Sequence, residues 1–283
     1  MKKLIDQPVV FFGNEKLATG DLNVKPLIKK AVEKAGFKLE KIITDPVAEL
    51  GSHKAQMAVL AAYGHIVPKS VLDQFPLGII NIHPSLLPAY RGPTPIEQAI
   101  LDGVAKTGVS IMQLTAGMDE GPIYKQKLLH LNGTETKPEL VEKLQKLGAD
   151  MLVEILPSIF NGQLKPRQQP HPDRATYSHK ISKADGVIDW HKSAEQIERE
   201  VRAFAGWPNS RTTLGGKEVI ITQAHTVPTS GDEPEGSLNV PTNINAPVMK
   251  TGNGSLCIDR LKPVGKKEMS AAEFLRGYGQ NLS

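Results

Sequence analysis

Short apolar runs alternate with amphipathic stretches along the first half of the 283-residue chain. This alternation is typical of a mainly parallel sheet flanked by helices. Ligands of such sheets bind beyond the carboxyl ends of the strands, so polar residues that directly follow an apolar run are candidates for a site. The predicted strands are Val9–Phe12, Leu39–Thr44, Met57–Ala62, Ile79–Ile82, Val109–Leu114 and Ile123–Leu131, and the predicted helices are Val24–Ala35 and Pro95–Leu101.

The second half of the chain has a different pattern. A capping box, Thr136–Glu139, predicts a long helix that closes the first domain, and a polar, proline-rich stretch follows it. Beyond that stretch, Ser193 and Ser270 each cap a short helix, and short strand-like runs lie between them. We therefore predict three parts: an open, mainly parallel Rossmann-like α/β domain, a basic linker, and a smaller C-terminal β-barrel (OB-like) domain. Their bounds are residues 1–160, 161–190 and 191–283.

Composition excludes several classes of protein. The apolar and charged fractions, 40% and 23%, are ordinary for a globular chain, and no apolar stretch approaches the roughly 18 residues of a membrane span. The single cysteine, Cys257, excludes an internal disulfide framework, and no CxxC or HExxH motif indicates a metal site. We therefore expect a cytoplasmic monomer without a metal and without a membrane partner.

The positive charge is concentrated in one segment. The formal net charge is +4, yet residues 1–160 hold 18 Lys+Arg against 17 Asp+Glu. A solvated linker and a phosphate-contacting surface explain a short basic segment equally well. The basic residues of residues 161–183 are Lys165, Arg167, Arg174, Lys180 and Lys183, and the one acid there is Asp173.

Three polar residues could carry chemistry. Asn81 and His83 end the run that begins at Ile79, and residues two apart on a strand point to the same face. Asp119 lies in the glycine-rich turn Gly117–Pro122, which follows another predicted strand. An amide that polarises a carbonyl, an imidazole that takes a proton and a carboxylate that orients it would make an acyl-transfer site without a covalent nucleophile. Taken singly, a histidine at a strand end and an aspartate in a surface turn are each more often structural than catalytic.

The segments HPSLLPAYRGPTPIEQAILDG and TGVSIMQLTAGMDEGPI resemble the folate-dependent formyltransferases, and the interval from His83 to Asp119 matches that family. The resemblance implies transfer of the formyl group of 10-formyltetrahydrofolate to an amine. Asn81 would stabilise the oxyanion, His83 would assist proton removal, and Asp119 would orient His83 and hold a water. The folate-contacting residues would be Ser85, Leu86, Leu87 and Pro88, together with Tyr63, Gly64 and Ile66.

The segments ATYSHKISKADGVIDW and VRAFAGWP resemble the family members that formylate the methionine carried by initiator tRNA. This implies initiator Met-tRNA as a partner, with Lys165, Arg167, Arg174, Lys180 and Lys183 contacting its phosphates. The chain departs from the family in two places: Phe11–Gly20 replaces a G-T-P-x-F-A segment, and Thr44–Gln56 is shorter than the usual basic loop. Both departures bear on the identity of the acceptor more than on the type of reaction.

Four alternatives therefore stay open. They are a formyltransferase acting on a nucleotide-linked amino sugar, a purine-pathway formyltransferase, a formyl-folate hydrolase, and a non-catalytic RNA-binding protein built on a transferase fold. A nucleotide-linked amino sugar has no need of the basic linker, whereas tRNA does.

Overall fold

The computed structural model describes residues 7–13, 27–43, 50–228, 233–241 and 243–281. They form two compact units, the first ending at Lys180 and the second beginning at Ile181, apart from two short segments of the second unit, Ile100–Gly103 and Gly133–Lys137. The predicted linker, residues 161–190, is thus divided between the units. Of the two predicted departures from the family, residues 14–20 of the first and residues 44–49 of the second lie outside the described residues.

The first unit contains a six-stranded sheet in the order β2-β1-β3-β4-β5-β6. The four strands from β2 to β4 are parallel, and β5 and β6 continue the sheet antiparallel. This mostly parallel sheet confirms the predicted α/β fold class. The strands are β1 (Gln7–Phe12), β2 (Phe37–Ile43), β3 (Met57–Leu60), β4 (Ile79–His83), β5 (Lys106–Gln113) and β6 (Ile123–His130).

In the part of the chain that the structure describes, four helices accompany this sheet, and the longest of them has one buried apolar face. In the longest of them, the buried positions recur at helical spacing, from Leu140 and Leu144 through Met151 to Ile155. It ends at Phe160, and the turn Asn161-Gly162 follows it. The helices are α1 (Leu27–Lys34), α2 (Lys69–Leu72), α3 (Pro95–Leu101) and α4 (Lys137–Phe160).

Helix α4 approaches the sheet closely at one glycine. A Cβ added at Gly148 would lie 2.7 Å from Cγ2 of Ile82 and 3.6 Å from Cγ1 of Val109. Ile82 is the β4 residue between Asn81 and His83, so the position of this helix fixes the strand that carries both polar residues. Only glycine permits this spacing, because any Cβ would have to move a buried, β-branched side chain.

The second unit is built on an antiparallel sheet in the order β7-β8-β11-β10-β9, with β12 paired to β11. Strand β7 was not predicted. It is joined to β8 by Gly215-Gly216, which both have positive φ and form a two-residue hairpin loop. The strands are β7 (Ser210–Leu214), β8 (Lys217–Val227), β9 (Leu238–Asn239), β10 (Val248–Lys250), β11 (Ser255–Pro263) and β12 (Met269–Ser270).

Two helices pack on this sheet, α5 (Ala194–Ala203) and α6 (Ala271–Tyr278). Both begin at the predicted caps: the Ser193 side chain accepts a hydrogen bond from the Gln196 amide, and Ser270 forms a full capping box with Glu273. Ile197 of α5 and Phe274 of α6 are fully buried in the core of this unit. Within the described residues, none of the helices is both long and apolar enough to cross a membrane.

The close approach at Gly148 should make this position intolerant of larger residues. We expect Gly148→Ala to lower the free energy of unfolding by about 1 to 3 kcal/mol, because the added methyl overpacks the contact with Ile82. Urea unfolding measures this value. The matched control is Gly277→Ala in α6, where a Cβ meets nothing within 4 Å, and which should raise stability by up to about 1 kcal/mol. Equal effects at the two glycines would contradict the packing argument.

Glu200 of α5 is buried beside Lys192, and one of its carboxylate oxygens has no partner. Burial raises the pKa of Glu200 above its usual 4.5, against the opposing effect of Lys192. The folded unit therefore holds this proton more tightly than the unfolded chain, so the stabilisation is present below the unfolded pKa and is lost as pH rises through the folded pKa.

Glu200→Gln should accordingly flatten the fall in stability of the second unit as pH rises above about 4.5. Urea unfolding at a series of pH values measures this slope. Glu218→Gln, at an exposed position on β8, serves as the control and should leave the slope unchanged. A wild-type slope in the Glu200 variant would show that ionisation of this group does not oppose folding.

Candidate active site

Strand β4 carries the two predicted polar residues in a buried position. It pairs with β3 on one side and β5 on the other, and all five of its residues are buried. Asn81 is 6% exposed and His83 is 4% exposed. They stand two apart, so they share one face of the sheet, and Pro84 follows directly. The amide and the imidazole are therefore held together at the carboxyl end of β4.

Asp119 joins them from the turn after β5. Its carboxylate receives a hydrogen bond from the Asn81 amide at 3.4 Å and lies 3.7 Å from Nδ1 of His83. The backbone N–H of Gly92 donates to the same carboxylate at 2.8 Å. The structure thus brings together the three residues that the sequence singled out, although they are separated by up to 38 positions.

The contacts of His83 assign its tautomer. Its Nε2 lies 2.9 Å from the backbone carbonyl of Tyr90. A carbonyl oxygen only accepts hydrogen bonds, so Nε2 carries a proton. In the neutral ring, Nδ1 is then the basic nitrogen, and it faces Asp119. A proton taken up at Nδ1 would be stabilised by that carboxylate.

The loop after β4 is held by one buried hydroxyl. Ser110 of β5 donates to the carbonyl of Ser85 at 2.6 Å and accepts from the amide of Leu87 at 3.0 Å. Gln126 donates both to the Leu87 carbonyl and to the Ser110 hydroxyl. The Ser85 hydroxyl itself donates a hydrogen bond to the carbonyl of Ala89. The backbone of this predicted folate segment is therefore fixed from inside the protein.

Within the same segment, the side chains divide into two kinds. Those of Ser85 and Leu87 are buried, whereas Leu86 and Pro88 are partly exposed. Contacts with a ligand from this segment would come from the partly exposed pair and from backbone groups.

The loop after β3 contains the other predicted folate residues. Tyr63 is buried and packs edge-on against Phe12, with ring centroids 5.4 Å apart. Gly64 is exposed, and Ile66 is 86% exposed, which is unusual for an apolar side chain. Tyr63 therefore anchors the loop in the core, and Ile66 presents an apolar surface to solvent.

Part of the predicted linker is built into the first unit. The amide of Arg91 donates to the carbonyl of Thr176 at 2.9 Å, and the amide of Ser178 donates back to the Arg91 carbonyl at 2.7 Å. Arg167 pairs with Ile123 through two backbone hydrogen bonds. These contacts attach residues 167–178 to the loop after β4 and to the start of β6, so this stretch is not a free connector.

Sequence reasoning missed two buried residues beside the site. Arg91 and Gln169 are each 5% exposed, and the Arg91 guanidinium donates to the Gln169 side chain at 2.8 and 3.2 Å. Gln169 in turn donates to the Asp119 carbonyl at 2.6 Å. The composition of the surrounding stretch gave no local signal of burial, because a proline-rich polar segment reads the same whether it is docked or solvated.

The five basic residues predicted to contact tRNA are all exposed. Four of them belong to the first unit and Lys183 belongs to the second. Their role as tRNA contacts stays a prediction. They are Lys165, Arg167, Arg174, Lys180 and Lys183.

A group of possible metal ligands lies in the second unit. Ligand atoms of His225, Cys257 and Asp259 lie within 4.8 Å of one another. His225 Nδ1 and the Asp259 carboxylate are within hydrogen-bonding distance at 2.9 Å, and Cys257 is packed in a small apolar cluster with Val248 and Ala271. Burial raises the pKa of the Cys257 thiol, which disfavours the thiolate that a metal requires. These contacts account for the three side chains, and the expectation of a metal-free protein stays a prediction.

The chain thus combines a mostly parallel sheet, on which a buried amide and a buried imidazole meet a partly exposed carboxylate, with a separate antiparallel unit. Comparison with known proteins gives the family. Residues 9–156 match the formyl transferase family and residues 180–279 match the formyl transferase C-terminal domain. The chain belongs to the formyl transferase family.

Curated relatives agree. The chain is 40% identical over 263 residues to a methionyl-tRNA formyltransferase of Roseiflexus sp. (strain RS-1), covering 91% of this chain and 80% of that protein. It is 40% identical over 234 residues to a methionyl-tRNA formyltransferase of Pseudoalteromonas translucida (strain TAC 125), covering 82% of this chain and 73% of that protein.

Among solved structures, HypX from Aquifex aeolicus in complex with tetrahydrofolic acid has a TM-score of 0.68 at 17% identity. The match covers 95% of this chain and 47% of HypX, so this chain spans about half the length of that protein. At this identity the likeness concerns the fold alone.

Proposed function

We propose that this enzyme transfers the formyl group of 10-formyltetrahydrofolate to the α-amino group of methionine on initiator Met-tRNA. The observation that carries the proposal is the Asp119 carboxylate, which lies within 3.4 Å of the Asn81 amide and 3.7 Å of His83 Nδ1 in a chain of the formyl transferase family. No serine or cysteine nucleophile is needed, because the amine itself attacks the formyl carbon.

The three side chains have separate roles in this reaction. As the amine nitrogen bonds to the formyl carbon, the formyl oxygen becomes an oxyanion, and the Asn81 N–H that does not donate to Asp119 stabilises it. His83 takes the proton that the amine loses, at the basic Nδ1 that its contact with Tyr90 leaves free of hydrogen. Asp119 stabilises the resulting imidazolium. The bond from the formyl carbon to the folate nitrogen then breaks, and that nitrogen receives the proton.

The donor follows from the family and from the loops around the site. Folate-type donors are supported by the similarity in fold to HypX, which was solved with tetrahydrofolic acid. The partly exposed Leu86 and Pro88 and the exposed Ile66 offer apolar surface to a flat ring system. The fixed backbone around Ser110 would keep such a pocket preformed, which lowers the ordering cost of binding.

The acceptor follows from the relatives. The two reported above are both methionyl-tRNA formyltransferases, and they match this chain over most of its length. The five exposed basic residues of residues 165–183 provide phosphate-binding charge, which suits the many backbone phosphates of tRNA better than the few phosphates of a nucleotide-linked amino sugar. Both considerations favour tRNA.

A three-acceptor assay tests the assignment. Purified enzyme and 10-formyltetrahydrofolate are incubated with methionine-charged initiator tRNA, with a nucleotide-linked amino sugar, or with water alone, and formylated product and released folate are measured. Formylation of the charged tRNA is the expected result. Formylation of the sugar but not of the tRNA would overturn the acceptor, and folate release that needs neither acceptor would indicate a hydrolase.

Removal of any one of the three side chains should slow the reaction strongly. We expect Asn81→Ala, His83→Ala and Asp119→Ala each to lose roughly 3 kcal/mol or more of transition-state stabilisation, about 100-fold or more in kcat/KM. Rates of tRNA formylation measure this loss. The control is His130→Ala, at an exposed histidine that ends β6, and it should keep wild-type turnover. Near-normal rates in the His83 and Asp119 variants would discard the mechanism.

The basic residues should act on tRNA and not on folate. In the double variant Arg174→Ala and Lys180→Ala, we expect a higher KM for charged tRNA and an unchanged KM for the folate. The dependence of log KM on log salt should weaken by about one unit of slope for each lost phosphate contact. Lys34→Ala, at an exposed position ending α1, provides the control. An unchanged salt dependence in the double variant would remove these residues from the tRNA interface.

A further inference from the structure

Gln169 is a buried amide that uses its full hydrogen-bonding capacity. Its two N–H groups donate to the backbone carbonyls of Asp119 at 2.6 Å and Gly121 at 2.9 Å. Its side-chain oxygen accepts from Nε of Arg91 at 3.2 Å and from Nη2 at 2.8 Å. An amide has two donors and two acceptor lone pairs, so none is left for water or ligand. A side chain with every group engaged has one fixed orientation.

The turn that Gln169 binds contains a residue in an unfavourable backbone conformation. Asp119 has a φ of +50°, in the left-handed region that residues with a side chain seldom adopt. Such a conformation persists only when the surroundings fix it. Because an aspartate side chain is short, the backbone of this residue sets where its carboxylate lies. The two carbonyls bound by Gln169 flank Glu120, and so the amide spans the turn.

Arg91 locks the amide in place from the other side. Its guanidinium is almost fully buried, lies 3.4 Å from a carboxylate oxygen of Glu120, and donates to the Tyr177 hydroxyl at 3.2 Å. A buried charge of this kind is costly to leave unpaired, so these contacts are kept. The next residue, Gly92, donates its N–H to the Asp119 carboxylate. One stretch of two residues thus fixes both the backbone and the side chain of Asp119.

We propose that Gln169 is a positioning residue for formyl transfer, which sets the distance from the Asp119 carboxylate to His83 and Asn81 by binding the backbone of the Asp119 turn. The expected kinetic effects rest on the proposed function, whereas the expected effect on the position of the Asp119 carboxylate does not. Gln169 does not touch the reacting atoms. It acts through Asp119.

Gln169→Glu isolates the contact. The variant keeps the size of the side chain and an acceptor oxygen for Arg91, but it replaces the nitrogen that donates to both turn carbonyls by a second acceptor oxygen. We expect kcat to fall about tenfold or more, because small displacements of a catalytic group are costly, while KM for both substrates changes by less than about twofold. Gln168→Glu introduces the same charge at the exposed neighbouring glutamine and should retain wild-type kcat.

Gln169→Met removes the same hydrogen-bond donors with a neutral side chain of similar length. It replaces Gln169→Glu in the test if circular dichroism shows that Gln169→Glu does not fold. In an Asp119→Ala background, Gln169→Met should slow the reaction by less than about twofold, because its effect passes through the missing carboxylate. Equal losses in the wild-type and Asp119→Ala backgrounds would mean that Gln169 serves only general stability, and would overturn the proposal.

A measurement without substrate separates this inference from the proposed function. In protein labelled at histidine, the ring signals of His83, assigned with His83→Ala, should move in Gln169→Glu and stay in place in Gln168→Glu. Unmoved His83 signals in Gln169→Glu, together with wild-type kcat, would overturn the positioning role. Moved signals in a protein that formylates none of the three acceptors would instead refute the proposed function and leave the structural inference intact.

Discussion

The burial of Asn81 and His83 on the central strand β4 is the constraint from which the rest of the site follows. Polar groups removed from water must be hydrogen-bonded or they cost free energy, and β4 has neighbours on both sides that already use its backbone. The two side chains must therefore find partners outside the backbone of the sheet. They find Asp119 in the turn after β5 and the Tyr90 carbonyl in the loop after β4. The contacts that satisfy the hydrogen-bonding groups of the two buried side chains are therefore the same contacts that assemble the candidate site.

Much of this arrangement could be predicted from local patterns. The alternation at Ile79–His83 placed two side chains on one face, and the caps at Ser193 and Ser270 located the first residues of two helices. These signals lie within a few positions of what they specify. The contact of Asp119 with His83 is not of this kind, and it was expected only because the spacing matches a family.

Other features were out of reach or were overlooked. The contacts of Gln169 with Asp119 and Arg91 join positions 50 and 78 apart, and a polar segment rich in proline has the same composition whether it docks or stays solvated. Strand β7 was different, because the signal existed: Gly215-Gly216 between two extended runs is typical of a two-residue hairpin. The polar Arg211–Thr213 in its first run concealed it.

The stretch from Arg167 to Ser178 has two faces with separate tasks. Buried groups of its inner face, Gln169 and Ser178, hold the loops that carry the site, while Arg167 and Arg174 lie exposed on the outside. A ligand that bound the outer face and restricted this stretch would thereby narrow the positions open to Asp119. Such coupling is reciprocal in free energy. If the outer ligand favours one position of Asp119 by a given factor, then fixing Asp119 in that position raises the affinity for the outer ligand by the same factor. Binding at the outer face and ordering of the Asp119 carboxylate would then be linked through one equilibrium.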